Sequence, residues 1–172
     1  MTINAVKREI PDYIEGYGKV KHYQGAFAKK PEGNIAGAKL RCFNSDNTDK
    51  TVSSIKEAIK ASGLKSGMTI SFHHHFREGD LVVCMVMEEI HKMGFKNITL
   101  SASSLGKAHD ALVPMIEDGT IVNIESSGVR GKIGDAISHG KLKGLATMRS
   151  HGGRVRAIET GETHVDIAFI GA

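Results

Sequence analysis

Met68-Thr69-Ile70-Ser71-Phe72, then Asp80-Leu81-Val82-Val83-Cys84-Met85-Val86-Met87-Glu88-Glu89-Ile90-His91-Lys92-Met93, then Ile98-Thr99-Leu100, decide the fold. The first run is short, apolar and β-prone, and the turn residues Ser66 and Gly67 introduce it, so it reads as a strand. The second places Leu81, Val82, Met85, Met87, Ile90 and Met93 mostly on one side of a helix that Gly94 can end. The third is a short buried strand. A strand, a helix and a second strand at this spacing form a crossover unit with the two strands parallel.

Upstream, Val52, Ile55, Ala58 and Ile59 recur at helical spacing, with Asn47 or Thr48 as the cap and Gly63 as the stop. Downstream the alternation continues: a helix over 109–117 closed by Asp118 and Gly119, a strand over 121–124 and a helix near 132–139. A strand over 145–148, a helix around 155–160 and a last strand over 165–170 complete it. The expected fold is α/β, an open three-layer α/β/α arrangement with a mostly parallel sheet and helices on both faces. Residues 1–47, broken by Pro11, Gly16, Gly18, Gly25, Pro31, Gly33 and Gly37, read as an N-terminal arm; residues 48–172 read as the α/β domain. Because the last strand meets the end of the sequence with no covering helix, the domain is expected to be incomplete, the first half of a longer parent.

The 172 residues suit one core, since domains commonly run roughly 100 to 200 residues. A formal charge of +4, from 23 basic and 19 acidic residues without long like-charge runs, points to anionic small molecules rather than nucleic acid. Two cysteines, Cys42 and Cys84, make neither a disulfide framework nor a zinc motif and suggest a reducing, cytoplasmic compartment. No run approaches the roughly 18 apolar residues of a membrane span, so a soluble, unprocessed chain with no membrane partner is expected.

In parallel sheets, ligands bind beyond the carboxyl ends of the strands, where the strand order reverses. Four polar segments follow the expected strands. In the first, Phe72-His73-His74-His75-Phe76-Arg77, adjacent histidines alternate sides and cannot share one metal, so no metal is expected. Arg77 can fork to a carboxylate there. In the second, Ser103 and Ser104 offer hydroxyls, either to substrate oxygens or as helix caps. In the third, Gly128 and Gly131 permit close backbone approach and Arg130 adds charge. Glu125 there is the candidate base or nucleophile, or else a partner for Arg130. In the fourth, Arg149, His151, Gly152, Gly153 and Arg154 make a turn where cations and backbone donors suit a polycarboxylate or phosphate.

The stretches Gly67–Arg77, with its His73-His74-His75-Phe76-Arg77 core, Ser126–Lys132 and Arg149–Arg154 resemble the citrate lyase alpha chain family, and Gly16–Val20 and Gly25–Phe27 resemble that family's leader. The resemblance implies a CoA-transferase-like fold shared with sugar-phosphate isomerases. It also implies transfer of an acyl-carrier thioester from acetate to citrate, giving citryl-carrier and acetate for cleavage to oxaloacetate. The implied partners are citrate, an acyl-CoA or acyl-carrier thioester, and the beta and gamma chains in an oligomer. The gamma chain is the acyl carrier with its CoA-derived prosthetic group, and no cofactor is expected on this chain itself. His74, His75, Glu125 and His151 are the catalytic candidates. Phe72, His73, Arg77, Ser103, Ser104, Gly128, Arg130, Gly131, Arg149, Gly152, Gly153 and Arg154 are the binding candidates. Family alpha chains are much longer, so the rival expectation is a non-catalytic module that docks the acyl carrier or beta chain.

Overall fold

A computed structural model describes residues 1–4, 7–22, 49–73 and 80–170. The chain divides into two units, Met1–Ala38 and Lys39–Ala172. In the first, β1 (Thr2–Ile3) pairs antiparallel with β2 (Glu9–Ile10), and β3 (Tyr13–Ile14) with β4 (Gly18–Lys19). The Asp12 carboxylate gathers the chain's amino terminus, Thr2 Oγ1 and His22 Nε2. None of the described residues of this unit is buried, so local hydrogen bonds rather than a core give it form.

The second unit holds α1 (Ile55–Ser62), β5 (Thr69–His73), α2 (Val82–Lys92) and β6 (Ile98–Ala102). A 3-10 turn (Lys107–Leu112), α3 (Val113–Glu117), β7 (Ile121–Ser126) and α4 (Gly131–Ser138) follow. β8 (Ala146–Met148), α5 (His151–Glu159) and β9 (Ile167–Ile170) complete it. The five strands run β8-β7-β6-β5-β9, every pair parallel.

The register gives the two faces of the sheet different chemistry. One rung crosses it as Ile167, Ile70, Leu100, Ile124 and Ala146. All of these but the exposed Ala146, with Phe72, Ile98 and Ile121, form a core with Ile59 of α1, Val83, Val86, Met87 and Ile90 of α2, Leu112, Ile116 and Ile133. The next rung crosses as Ala168, Ser71, Ser101, Glu125 and Thr147, and another joins Thr69, Thr99 and Asn123. This second face is polar, and α5 lies against it with Ala157 fully buried and Arg154 reaching Ser101. Alternate side chains of a strand point to opposite faces, so consecutive residues serve the core and the polar face in turn.

Three local expectations are corrected. The first helix begins at Ile55 with Ser54 as its cap, its Oγ accepting from Glu57 N at 3.2 Å; Asn47 and Thr48 lie outside the described residues. The helix expected over 109–117 is divided into a 3-10 turn and α3, where Pro114 enters the first turn without an N–H to donate. The last helix begins at His151 rather than near Val155, because Ser150 Oγ accepts from Gly153 N at 3.0 Å and caps it. Cys84 is buried on α2, its Sγ donating to Ala108 O at 3.2 Å, and burial pushes its thiol pKa up; Cys42 lies outside the described residues. No helix among the described residues is long and apolar enough to cross a membrane.

Candidate functional site

β6, β7 and β8 add in turn on one side of β5, and β9 returns to the other side, so the strand order reverses between β5 and β9. The crevice at their carboxyl ends is where such sheets hold ligands. His73 stands there, exposed and in register with Ile170. His74, His75 and Arg77, which follow it, lie outside the described residues. Phe72 is not a surface contact: its ring is buried on the apolar face and stacks on Phe169 with centroids 5.5 Å apart, so its expected role in substrate binding gives way to a core role.

On the polar face the structure joins three of the candidates. Glu125 Oε2 accepts from Thr163 Oγ1 at 2.6 Å and lies 3.5 Å from Arg149 Nη1. Arg149 Nη2 donates to Glu162 Oε1 at 2.9 Å, while Arg154 Nη2 donates to Ser101 Oγ at 3.1 Å. The hydrogen bond that Arg149 donates to Glu162 raises the Arg149 pKa further, and burial pulls that of Arg154 down against the attraction of Glu125. Guanidinium remains charged in either case. The partners of Glu125 are therefore Thr163 and Arg149, not Arg130, and the residue sits within β7 rather than in the loop after it. Two guanidinium groups and an anchored carboxylate share one half-shielded surface, which suits a ligand with several carboxylates.

The glycine loop after β7 lies elsewhere. Ser127, Gly128, Val129, Arg130, Gly131, Ile137, Ala146 and Met148 line a cavity of about 490 Å³. Ala146 and Met148 are in register with Ile124 and Ser126, so this cavity opens on the face of α4, opposite the arginine cluster. The Gly128 N–H, expected to be a donor to substrate, donates to Ser126 Oγ at 3.2 Å, and Arg130 N donates to Leu105 O. Gly131 has φ +71°, and a Cβ there would come within 2.7 Å of Asp110 Oδ1, so the glycine serves this close approach. Ser127 N donates to Ser103 O at 3.1 Å, tying the second and third loops together beside the partly exposed Ser104. His151 and Gly152 are exposed in the first turn of α5 rather than in a free turn, and Gly153 lets its N–H meet the Ser150 cap.

A family model described as citrate lyase, alpha subunit (CitF) matches residues 48–172. The chain belongs to the citrate lyase alpha subunit family. Over 122 residues it is 52% identical to the citrate lyase alpha chain of Haemophilus influenzae, covering 71% of this chain and 24% of that one. The Escherichia coli alpha chain is 45% identical over 146 residues, 85% of this chain and 28% of that one. A solved citrate lyase alpha subunit from Streptococcus mutans, in complex with citrate, superposes with a TM-score of 0.73 at 52% identity. It shares 76% of this chain and 26% of its own length. The chain thus spans about a quarter of the length of the relatives it matches.

In this member of the citrate lyase alpha subunit family, the polar-face cluster includes residues that the sequence did not single out. Thr163 and Glu162 follow α5 in an ordinary-looking turn, and nothing in their local spacing links them to Glu125 or Arg149. Ser101 reads as part of a hydroxyl-rich turn but is a buried strand residue. A period-two alternation of polar residues along β5, β6 and β7 is the signal that finds this face.

Proposed function

We propose that this chain carries the citrate-facing part of an acyl-transfer site, in which an acetyl group on an acyl carrier is exchanged for citrate, giving citryl-carrier and acetate. The observation that carries the reading is the grouping of Arg149, Arg154 and Glu125 on one polar sheet face. The solved relative bound to citrate supports the substrate.

Arg149 and Arg154 bind and orient citrate carboxylates, with His73 at the end of β5 and His151 at the start of α5 as further donors. Glu125, fixed by the Thr163 hydroxyl, is the base or nucleophile. His74, His75 and Arg77, which follow β5 in the sequence, are the further candidates for proton transfer and carboxylate binding. Charge developing at the acyl carbon needs aimed donors, each worth about 2.7 to 4 kcal/mol of barrier.

The CoA-derived group belongs to the acyl-carrier gamma chain. When bound, that group supplies the activated acyl carbon. Cleavage of the citryl thioester falls to the beta chain. We place the complex in the cytoplasm.

Thermal melting of the chain with citrate, with CoA and with a sugar phosphate tests the reading. A ligand at 100 times its Kd adds about 2.7 kcal/mol of stability. Citrate and CoA are expected to raise the melting temperature, and Arg149→Ala to abolish the citrate effect. Stabilisation by the sugar phosphate alone would overturn the proposal.

A further inference from the structure

Arg149 is held between two carboxylates whose situations differ. Glu125 has 19% of its side chain exposed, and its Oε2 takes the Thr163 hydroxyl at 2.6 Å; Thr163 itself is 5% exposed, with its N donating to Ala157 O at 2.9 Å. This carboxylate is pinned on the sheet. Glu162 is 50% exposed, stands on the turn after α5, and reaches Arg149 Nη2 at 2.9 Å. Its second oxygen lies 3.4 Å from Arg156 Nη1, a guanidinium that is 72% exposed. Glu162 therefore has a second cation to move to, farther out in solvent, and Glu125 is tied in place.

We propose that Glu162 is an internal stand-in for a substrate carboxylate: it occupies the outer edge of Arg149 and is displaced towards Arg156 when a polycarboxylate binds. The inference rests on the citrate reading of this face and assigns Glu162 and Arg156 roles in setting its affinity. A stand-in keeps the largely shielded guanidinium paired between binding events, since a shielded charge without a partner is costly. It also weakens the binding of single carboxylates, which must compete with a tethered rival. A ligand with several carboxylates recovers the loss through Arg154.

Isothermal titration of citrate and of acetate into the chain tests this. Glu162→Gln is expected to bind citrate about two- to fivefold more tightly than the parent, the range that an exposed ion pair commands. Acetate affinity is expected to rise at least as much. Arg156→Gln, which touches neither Arg149 nor Arg154, is expected to weaken citrate binding by removing the refuge. Unchanged or weaker binding by Glu162→Gln, in a chain whose citrate binding disappears with Arg149→Ala, overturns the stand-in and leaves the citrate site standing. Citrate binding that survives Arg149→Ala overturns both. Because Glu162 is on the surface, Glu162→Gln folds, and an unchanged unfolding profile at neutral pH apart from a small shift in midpoint verifies it.

Discussion

Thr163 shows how a single hydroxyl fixes a carboxylate. Its Oγ1 is the hydrogen-bond donor to Glu125, and a bond to a charged acceptor contributes about 1.5 to 3 kcal/mol. Thr163→Val keeps the shape and removes the donor, so the chain is expected to lose stability in about that range in urea unfolding, with Thr163→Ser restoring most of it. A second residue-scale prediction concerns pH. The hydrogen bond from Arg149 holds the Glu162 carboxyl below its ordinary value. A depressed carboxyl pKa contributes stability that is full above the unfolded-state value, near about 4.3, and is lost as pH falls through the folded-state value. The melting-temperature gap between the parent and Glu162→Gln is therefore expected at neutral pH and to close on acidification below that range. A gap that persists at the acid end would sink the assignment. The segment carrying Arg149 and Arg154 is legible in the sequence because strand ends are predictable from hydrophobic runs. The partners of those arginines are not: Thr163 meets Glu125 across 38 positions and Arg154 meets Ser101 across 53, distances that no local pattern encodes.

At the scale of elements, the strand–helix alternation was legible almost throughout, and the misses have local causes. Ser54 rather than a residue near 48 caps α1, with Glu57 Oε2 accepting from Ser53 N and Oγ to complete the turn. Ser54→Ala is expected to cost about 1 kcal/mol in chemical denaturation. Two glycines separate backbone conformation from packing. Gly63 ends α1 at φ +74° with nothing within 4 Å of the place a methyl group would take, and Gly131 has a similar φ with Asp110 and Lys107 in the way. Gly63→Ala should cost about 1 kcal/mol, the ordinary penalty of the left-handed region, and Gly131→Ala clearly more. Equal costs would mean that Asp110 moves aside freely. The glycines of Gly152-Gly153 suggested an open turn from sequence, since glycine disfavours helix interiors, but in the first turn the Ser150 cap outweighs that preference.

The whole sheet divides its labour by face. The parallel architecture was legible, but a sheet apolar on both faces is the usual consequence of parallel strands, and that expectation hid the polar face. The alternation Thr69-Ile70-Ser71-Phe72 and Thr99-Leu100-Ser101-Ala102 already contained it. Neighbouring substitutions should therefore act on different properties. Leu100→Ala empties a fully buried site and is expected to cost about 2 to 5 kcal/mol in unfolding free energy. Ser101→Ala, one residue on, is expected to weaken citrate binding by loosening Arg154 while costing far less stability. Comparable stability losses for the two would contradict the division of faces.

The place of β9 beside β5 has a consequence in time. The Asp166 carboxylate accepts from the Thr69 backbone N–H across 97 positions, so β5, an interior strand of the sheet, meets its second neighbour only when nearly the whole described chain is available. During synthesis β5 is an unpaired edge with Ile70 and Phe72 on its apolar side, and long-range closure of this kind is slow and exposed to self-association. The final ordering step in refolding is expected to be the docking of β9, so Phe169→Ala should slow that phase and raise aggregation of nascent chains without altering how β6 and β7 first pair.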